Sequence, residues 1–375
     1  MRPHGWVARL VVGITLLSQL GACGSSASPS QPWASLTPTA TAAATSGLTP
    51  SASTAASLPR ARTYGSMVSL GSDGGVLLLE GNVGYPPPWG TGVYLRDVWR
   101  YNSQGGWRRV ADKPQPKDFL WGSATFDARA GLVIVATTTA NAAPPKPPPT
   151  YDLLYNPQAD RWETRASRGG WFEINGAPIV YDSAADRAIL FGGGGTGNTC
   201  NDETWVYDLS ADTWTRATPK VSPPAENFGS MVYDEKADRA ILWAVDCNGF
   251  YAGTWTYDVR SDTWTDLKPA TSPPGRVYAA MAYDPKVDKT ILFGGVDEST
   301  GETVFGDTWV YSLASNSWTQ LSPAVAPSAR GWAAMAYEAD SGKLVLFGGG
   351  TGRAAPLADT WLYDAAANAW TQGLP

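Results

Sequence analysis

Between residues 278 and 321 the chain passes through four short segments. YAAMAYD (278–284) comes first, then KTILFGG (289–295), an apolar run closed by a glycine pair. DTWVYS (307–312) places Trp309 and Tyr311 on one face, because side chains two apart in a strand point the same way. SWTQL (317–321) follows. Apolar positions recur with period two rather than 3.6, which predicts four strands and no helix. The connections after the first and third strands are tight and open with Asp, Asn or Ser, whose side chains bond backbone N–H groups two residues on. Those after the second and fourth strands are longer and contain Gly and Pro.

This unit recurs. The fourth-strand Trp stands at Trp107, Trp162, Trp214, Trp264, Trp318 and Trp370, at intervals of 50 to 55 residues. The third-strand Trp stands at Trp99, Trp205, Trp255, Trp309 and Trp361, with Leu153 in its place in the second repeat. The intervening tyrosine is Tyr101, Tyr155, Tyr207, Tyr257, Tyr311 and Tyr363. A four-stranded repeat of about 50 residues cannot cover both faces of its own sheet, but stacked neighbours can. The repeated Trp are therefore expected to pack between repeats.

The pattern R-x-x-AAMAYD, ILFGG, DTWVYD, TW resembles the kelch repeat over residues 60 to 375. It is strongest in repeats three, five and six. Repeat two has Ala136 and Thr137 for the glycine pair, repeat one keeps only Gly81, and repeat four reads ILWAVDC. The resemblance implies an all-β, six-bladed β-propeller of four-stranded blades around a central channel, with the first strand innermost. Blades are expected at 62–112, 118–166, 174–218, 226–268, 276–322 and 330–375. The first strand found is an innermost one and the last an outermost one, so each blade is contiguous in sequence. Closure then rests on face packing between blades six and one.

The propeller is expected over 59–375. Residues 1–22 read as an export signal, with Arg2 and Arg9 before an apolar run from Leu10 to Leu20. The following Leu20-Gly21-Ala22-Cys23 resembles a bacterial lipobox, which implies lipid on Cys23. Residues 23–58 are mostly Ser, Thr, Ala and Pro, with a few Gly and Leu and no charge, a composition that cannot offset ordering entropy. They read as a disordered tether of roughly 30–35 Å. The expected setting is the bacterial cell envelope, with a monomeric head held outside the cytoplasm by a lipid anchor in the membrane.

Composition sharpens this. Forty glycines and 29 prolines suit many short strands joined by turns. A net charge of −6 without a basic patch argues against nucleic acid. His4, inside the export signal, is the only histidine. The head therefore lacks the usual general base and imidazole metal ligand, and no metal or cofactor is expected. Cys200 and Cys247 fall in the loops after the second strands of blades three and four, and export predicts a disulfide between them.

Candidate ligand-binding residues come from aligning the starts of the innermost strands. Tyr64, Trp121, Gly176, Phe228, Tyr278 and Trp332 form a nearly all-aromatic set at the long-loop mouth of the channel. Such a ring suits sugar faces or a peptide, or wedges blades apart. Two residues earlier stand Arg62, Glu226, Arg276 and Arg330. Three converging arginines hold a carboxylate bidentately, or bond neighbouring loop carbonyls. Trp89 and Trp171 are further non-repeat aromatics, and the proline clusters 86–88 and 147–149 stiffen two loops. The expected function is an anchored binding or scaffolding module for a glycan, peptide or envelope protein. Two alternatives stand: a purely structural envelope protein, and a metal-independent sugar-active enzyme of the mutarotase or epimerase kind. The resemblance implies the latter, with Glu173, Glu226, Arg276 and Arg330 as its charged set.

Overall fold

The computed structural model describes residues 58–83, 93–114, 119–139, 151–166, 168, 176–194, 200–226, 228–247, 252–297, 303–351 and 355–375. The chain divides into units 1–53 and 54–375, and all described residues lie in the second. The signal, Cys23 and nearly all of the tether lie outside the described residues. So do Trp89, Trp171, Glu173 and both proline clusters.

Six four-stranded antiparallel sheets account for almost all regular structure. Blade five is typical, with Ala280–Asp284 innermost, then Lys289–Phe293, Thr308–Ser312 and Ser317–Leu321. Every blade is contiguous, from Ser66–Ser69 through Gly106–Val110 in blade one to Ala334–Glu338 through Ala369–Gln372 in blade six. Innermost strands touch one another in ring order, and blade six returns to blade one. A small hairpin of Asn82–Val83 with Val93–Tyr94 and a 3-10 turn at Gly71–Asp73 complete the elements.

The apolar core lies in the seams, not inside blades. One cluster joins Trp243 and Val245 of blade four to Leu292, Trp309, Tyr311 and Trp318 of blade five. The closing seam joins Val76, Leu78, Trp99 and Trp107 of blade one to Ala334, Val345 and Phe347 of blade six in the same way. Burial of aromatic area between stacked sheets is the main favourable term.

Each repeated aromatic has a fixed task. The fourth-strand Trp stacks on the third-strand Tyr, with ring centres 4.9 Å apart for Tyr311–Trp318 and 4.7 Å for Tyr363–Trp370. In blades one, four, five and six its indole N–H crosses the seam to a threonine hydroxyl of the preceding blade, whereas Trp162 of blade two donates to the Ala111 carbonyl at 3.0 Å. Trp318 donates to Thr254 at 2.8 Å, Trp264 to Thr204 at 2.8 Å, Trp370 to Thr308 at 3.1 Å and Trp107 to Thr360 at 2.8 Å. The last bond closes the ring. In blades two to six the tyrosine hydroxyl donates to an Asp or Asn five residues on, as Tyr257 does to Asp262 and Tyr311 to Asn316. That residue has positive φ, which Asn and Asp tolerate better than most side chains.

Candidate functional site

The starts of the innermost strands form a collar. Phe228 donates its N–H to Gly176 O, Tyr278 to Phe228 O, Trp332 to Tyr278 O and Tyr64 to Trp332 O, all at 3.0–3.2 Å. Each bond crosses a seam. All five residues have φ between 57° and 72°. That conformation costs a non-glycine residue about 1 kcal/mol or more, yet four positions carry large aromatics. Their side chains converge. Tyr278 lies 4.6 Å from Phe228, 5.1 Å from Trp332 and 5.5 Å from Tyr64, ring centre to ring centre. Tyr64 and Phe228, from opposite blades, meet at 6.3 Å. The aromatics therefore meet across the channel rather than lining an open ring.

Gly176 explains the asymmetry. A Cβ there would sit 2.2 Å from the Phe228 ring, so Phe228 occupies the space of a blade-three side chain. Trp121 lies inside the innermost strand of blade two, Phe119–Asp127, beside a register shift between Leu120 and Ser123. Its side chain lies outside the described residues. Tyr64, Phe228, Tyr278 and Trp332 are all half-buried. Burial drives the Tyr64 hydroxyl far above its ordinary pKa, against the hydrogen bonding that Tyr278 provides.

Around and below the collar lies a cavity of about 170 Å³, walled by the four aromatics and by small residues such as Gly65, Ser66, Ser123 and Ser230. Further along the channel a second cavity of about 250 Å³ is lined by Met67, Met231, Met281 and Met335, with Tyr181, Tyr233, Tyr283 and Tyr337 nearer the turns. Sequence reasoning missed this end. The signal was present: every methionine after Met1 stands three residues beyond a collar aromatic.

The arginines do not converge on the channel mouth, which corrects the carboxylate-binding expectation. Arg62, Arg276 and Arg330 are fully buried, each inside its own blade. Arg330 donates to Ser328 O and Gly348 O, both at 3.0 Å, and bidentately to Asp359 at 2.7 and 2.9 Å. Arg276 repeats this with Pro274 O, Gly294 O and Asp307, and Arg62 with Arg60 O, Glu80 O and Asp97. The aspartate in turn accepts the third-strand indole N–H, at 2.7 Å for both Trp309 and Trp361. Burial pushes the Asp307 and Asp359 carboxyls up, but the arginines hold both below the ordinary carboxylate range. These are clamps joining the loop before the blade, the end of its second strand and the start of its third.

Blade four lacks the clamp. Glu226 replaces the arginine, Gly253 the aspartate, and Ala244-Val245 the glycine pair. In blade five Gly294 and Gly295, at φ 68° and 106°, turn the chain out of the strand. In blade four the second strand instead runs on, Arg239–Val245, and pairs to Ala252. Glu226 is fully buried, with one carboxyl oxygen unpartnered and the other accepting from Val245 N at 3.3 Å. Burial raises its pKa well above the ordinary value. Of the charged set expected for sugar chemistry, Glu226, Arg276 and Arg330 are turned into their blades, and Glu173 lies outside the described residues. Cys200 and Cys247 are joined by a disulfide, their Cα atoms 6.5 Å apart. Among the described residues no three of His, Cys, Asp and Glu gather as a metal site, and no helix is long and apolar enough to cross a membrane.

A family model described as the KLHDC2/KLHL20/DRC7 Kelch-repeats domain matches residues 179–374, more than half of the chain. The chain belongs to the kelch-repeat family. The match begins at the innermost strand of blade three and leaves blades one and two outside it. Even there kelch geometry holds in blade one: Glu80 and Gly81 adopt φ 64° and 104°. Among solved structures, one titled "Structure of YjhT" superposes with a TM-score of 0.57 at 15% identity, covering 84% of this chain and 99% of that one. At that identity the likeness speaks for the kelch propeller fold alone. No curated protein matches the sequence.

Proposed function

We propose that this kelch propeller is a binding module that holds a protein or peptide partner on its long-loop face, presented outside the cytoplasm on a lipid-anchored tether. The observation that carries the reading is the collar. Four aromatics are kept in a costly backbone conformation where glycine would be cheaper, and they remain only partly buried at the end of the channel. Strain of this kind concentrates at binding and active sites. Kelch propellers typically mediate protein interactions, and variable loops on a rigid scaffold are common recognition surfaces. Aromatic surface without neighbouring charge favours an apolar peptide side chain over an acidic ligand, because Arg62, Arg276 and Arg330 are committed to their clamps. Scaffolding without chemistry also fits the absence of histidine from the head.

The test is binding of the full chain to peptide and glycan arrays, with hits mapped by amide hydrogen exchange. Peptide hits that protect the collar support the reading. Glycan hits alone, or turnover of a bound sugar, replace it.

A further inference from the structure

Glu226 sits between the two half-cystine segments. On one side its N–H donates to Asn201 O at 3.0 Å, and Asn201 follows Cys200. On the other its carboxyl accepts from Val245 N, two residues before Cys247. Its carbonyl accepts from Gly193 N at 2.9 Å, another blade-three contact. Two residues on, Phe228 supplies the blade-four member of the collar through its bond to Gly176 O. In blades one, five and six the same position is bolted by an arginine–aspartate clamp to the ends of two strands. In blade four no such clamp exists, and the disulfide joins the loops that flank the gap.

We propose that the Cys200–Cys247 disulfide is a redox latch that takes the place of the missing clamp and holds the blade-four quadrant of the collar in position. Both cysteines are half-buried, so a small or protein dithiol reaches the bridge. A thiolate of that dithiol attacks one sulfur and the S–S bond breaks. The second thiol of the reductant then resolves the mixed disulfide. Two electrons and two protons pass to Cys200 and Cys247, which become thiols, and the reductant leaves as its own disulfide. Reduction frees the loop after Val245. The bonds of Glu226 to Asn201 and Val245 then open, and Phe228 loses its fixed place against Tyr278. The clamped blades are unaffected, because Arg62, Arg276 and Arg330 need no disulfide. This inference is independent of which partner the face holds.

The experiment is amide hydrogen exchange on the full chain, oxidised and after dithiothreitol. Reduction is expected to speed exchange at least tenfold at Asn201, Glu226, Phe228 and Val245. At Gly295, Arg330 and Trp332, around the clamped blade six, the change is expected to stay below twofold. Equal rates at both sets in the two states overturn the proposal, and so does acceleration everywhere, which reports global unfolding. A second variant tests the replacement itself. Glu226→Arg with Gly253→Asp rebuilds the clamp and is expected to abolish the local response to dithiothreitol. An unchanged response in the folded variant contradicts the latch.

Discussion

Trp318 tests the seam account quantitatively. Its side chain is 3% exposed, stacks on Tyr311 at 4.9 Å, meets Trp243 edge-on at 5.7 Å and donates to Thr254 at 2.8 Å. A buried Trp removes about 150–250 Å² from water, roughly 4–6 kcal/mol gross at about 25 cal/mol/Å². Truncation to alanine in a core costs about 3–5 kcal/mol once partial relaxation is included. It also strands the Thr254 hydroxyl, on a residue with no exposed surface, for about 1 kcal/mol more. Trp318→Ala is therefore expected to lose about 4–6 kcal/mol, a large part of the stability of an ordinary domain. Trp318→Phe keeps most of the apolar area and loses the donor, so about 1–3 kcal/mol is expected. A cycle with Thr254→Val isolates the cross-seam bond at about 1 kcal/mol. Urea unfolding followed by circular dichroism measures the parent, the single variants and the double variant of the cycle. A loss below about 1 kcal/mol for Trp318→Ala is a surface-like effect, and it would refute the assignment of the repeated Trp to seams.

Two further predictions concern the buried ionisable groups. Arg330→Ala leaves Asp359 without its guanidinium and opens three contacts, so a loss of about 3–5 kcal/mol is expected in the same unfolding assay; a loss under about 1 kcal/mol contradicts the clamp. Glu226 holds its proton in the folded state where the unfolded chain has released it, so it makes stability fall as pH rises above about 4.5, the ordinary glutamate value, until the raised folded pKa is passed. The limiting slope is about 1.4 kcal/mol per pH unit. Glu226→Gln is expected to remove that slope, and identical stability–pH curves for variant and parent would contradict the buried-acid account.

The fold was legible because its determinants are periodic. Trp, Tyr and the turn residues recur at fixed offsets, and burial in a stacked sheet is all their positions require. The arginines were ambiguous, since the same side chain at a strand start reaches either the channel or its own blade. A signal existed within the single chain. Repeats one, five and six carry both the arginine and the aspartate two residues before the third-strand Trp: Arg62 with Asp97, Arg276 with Asp307, Arg330 with Asp359. Repeat four loses both, as Glu226 and Gly253, and repeat two as Phe119 and Tyr151. Residues gained and lost together read as partners. The meeting of Tyr64 with Phe228 was not legible, because it depends on the channel's width and on the space that Gly176 leaves.

The proposed binding face is tested most directly by hydrogen exchange on the full chain with and without its best array hit. Protection is expected at the amides of Tyr64, Phe228, Tyr278 and Trp332 and along the loops above them, with the outermost strands unchanged. A footprint confined to the outermost strands or to the turn-side end of the channel, with the collar unprotected, would contradict it.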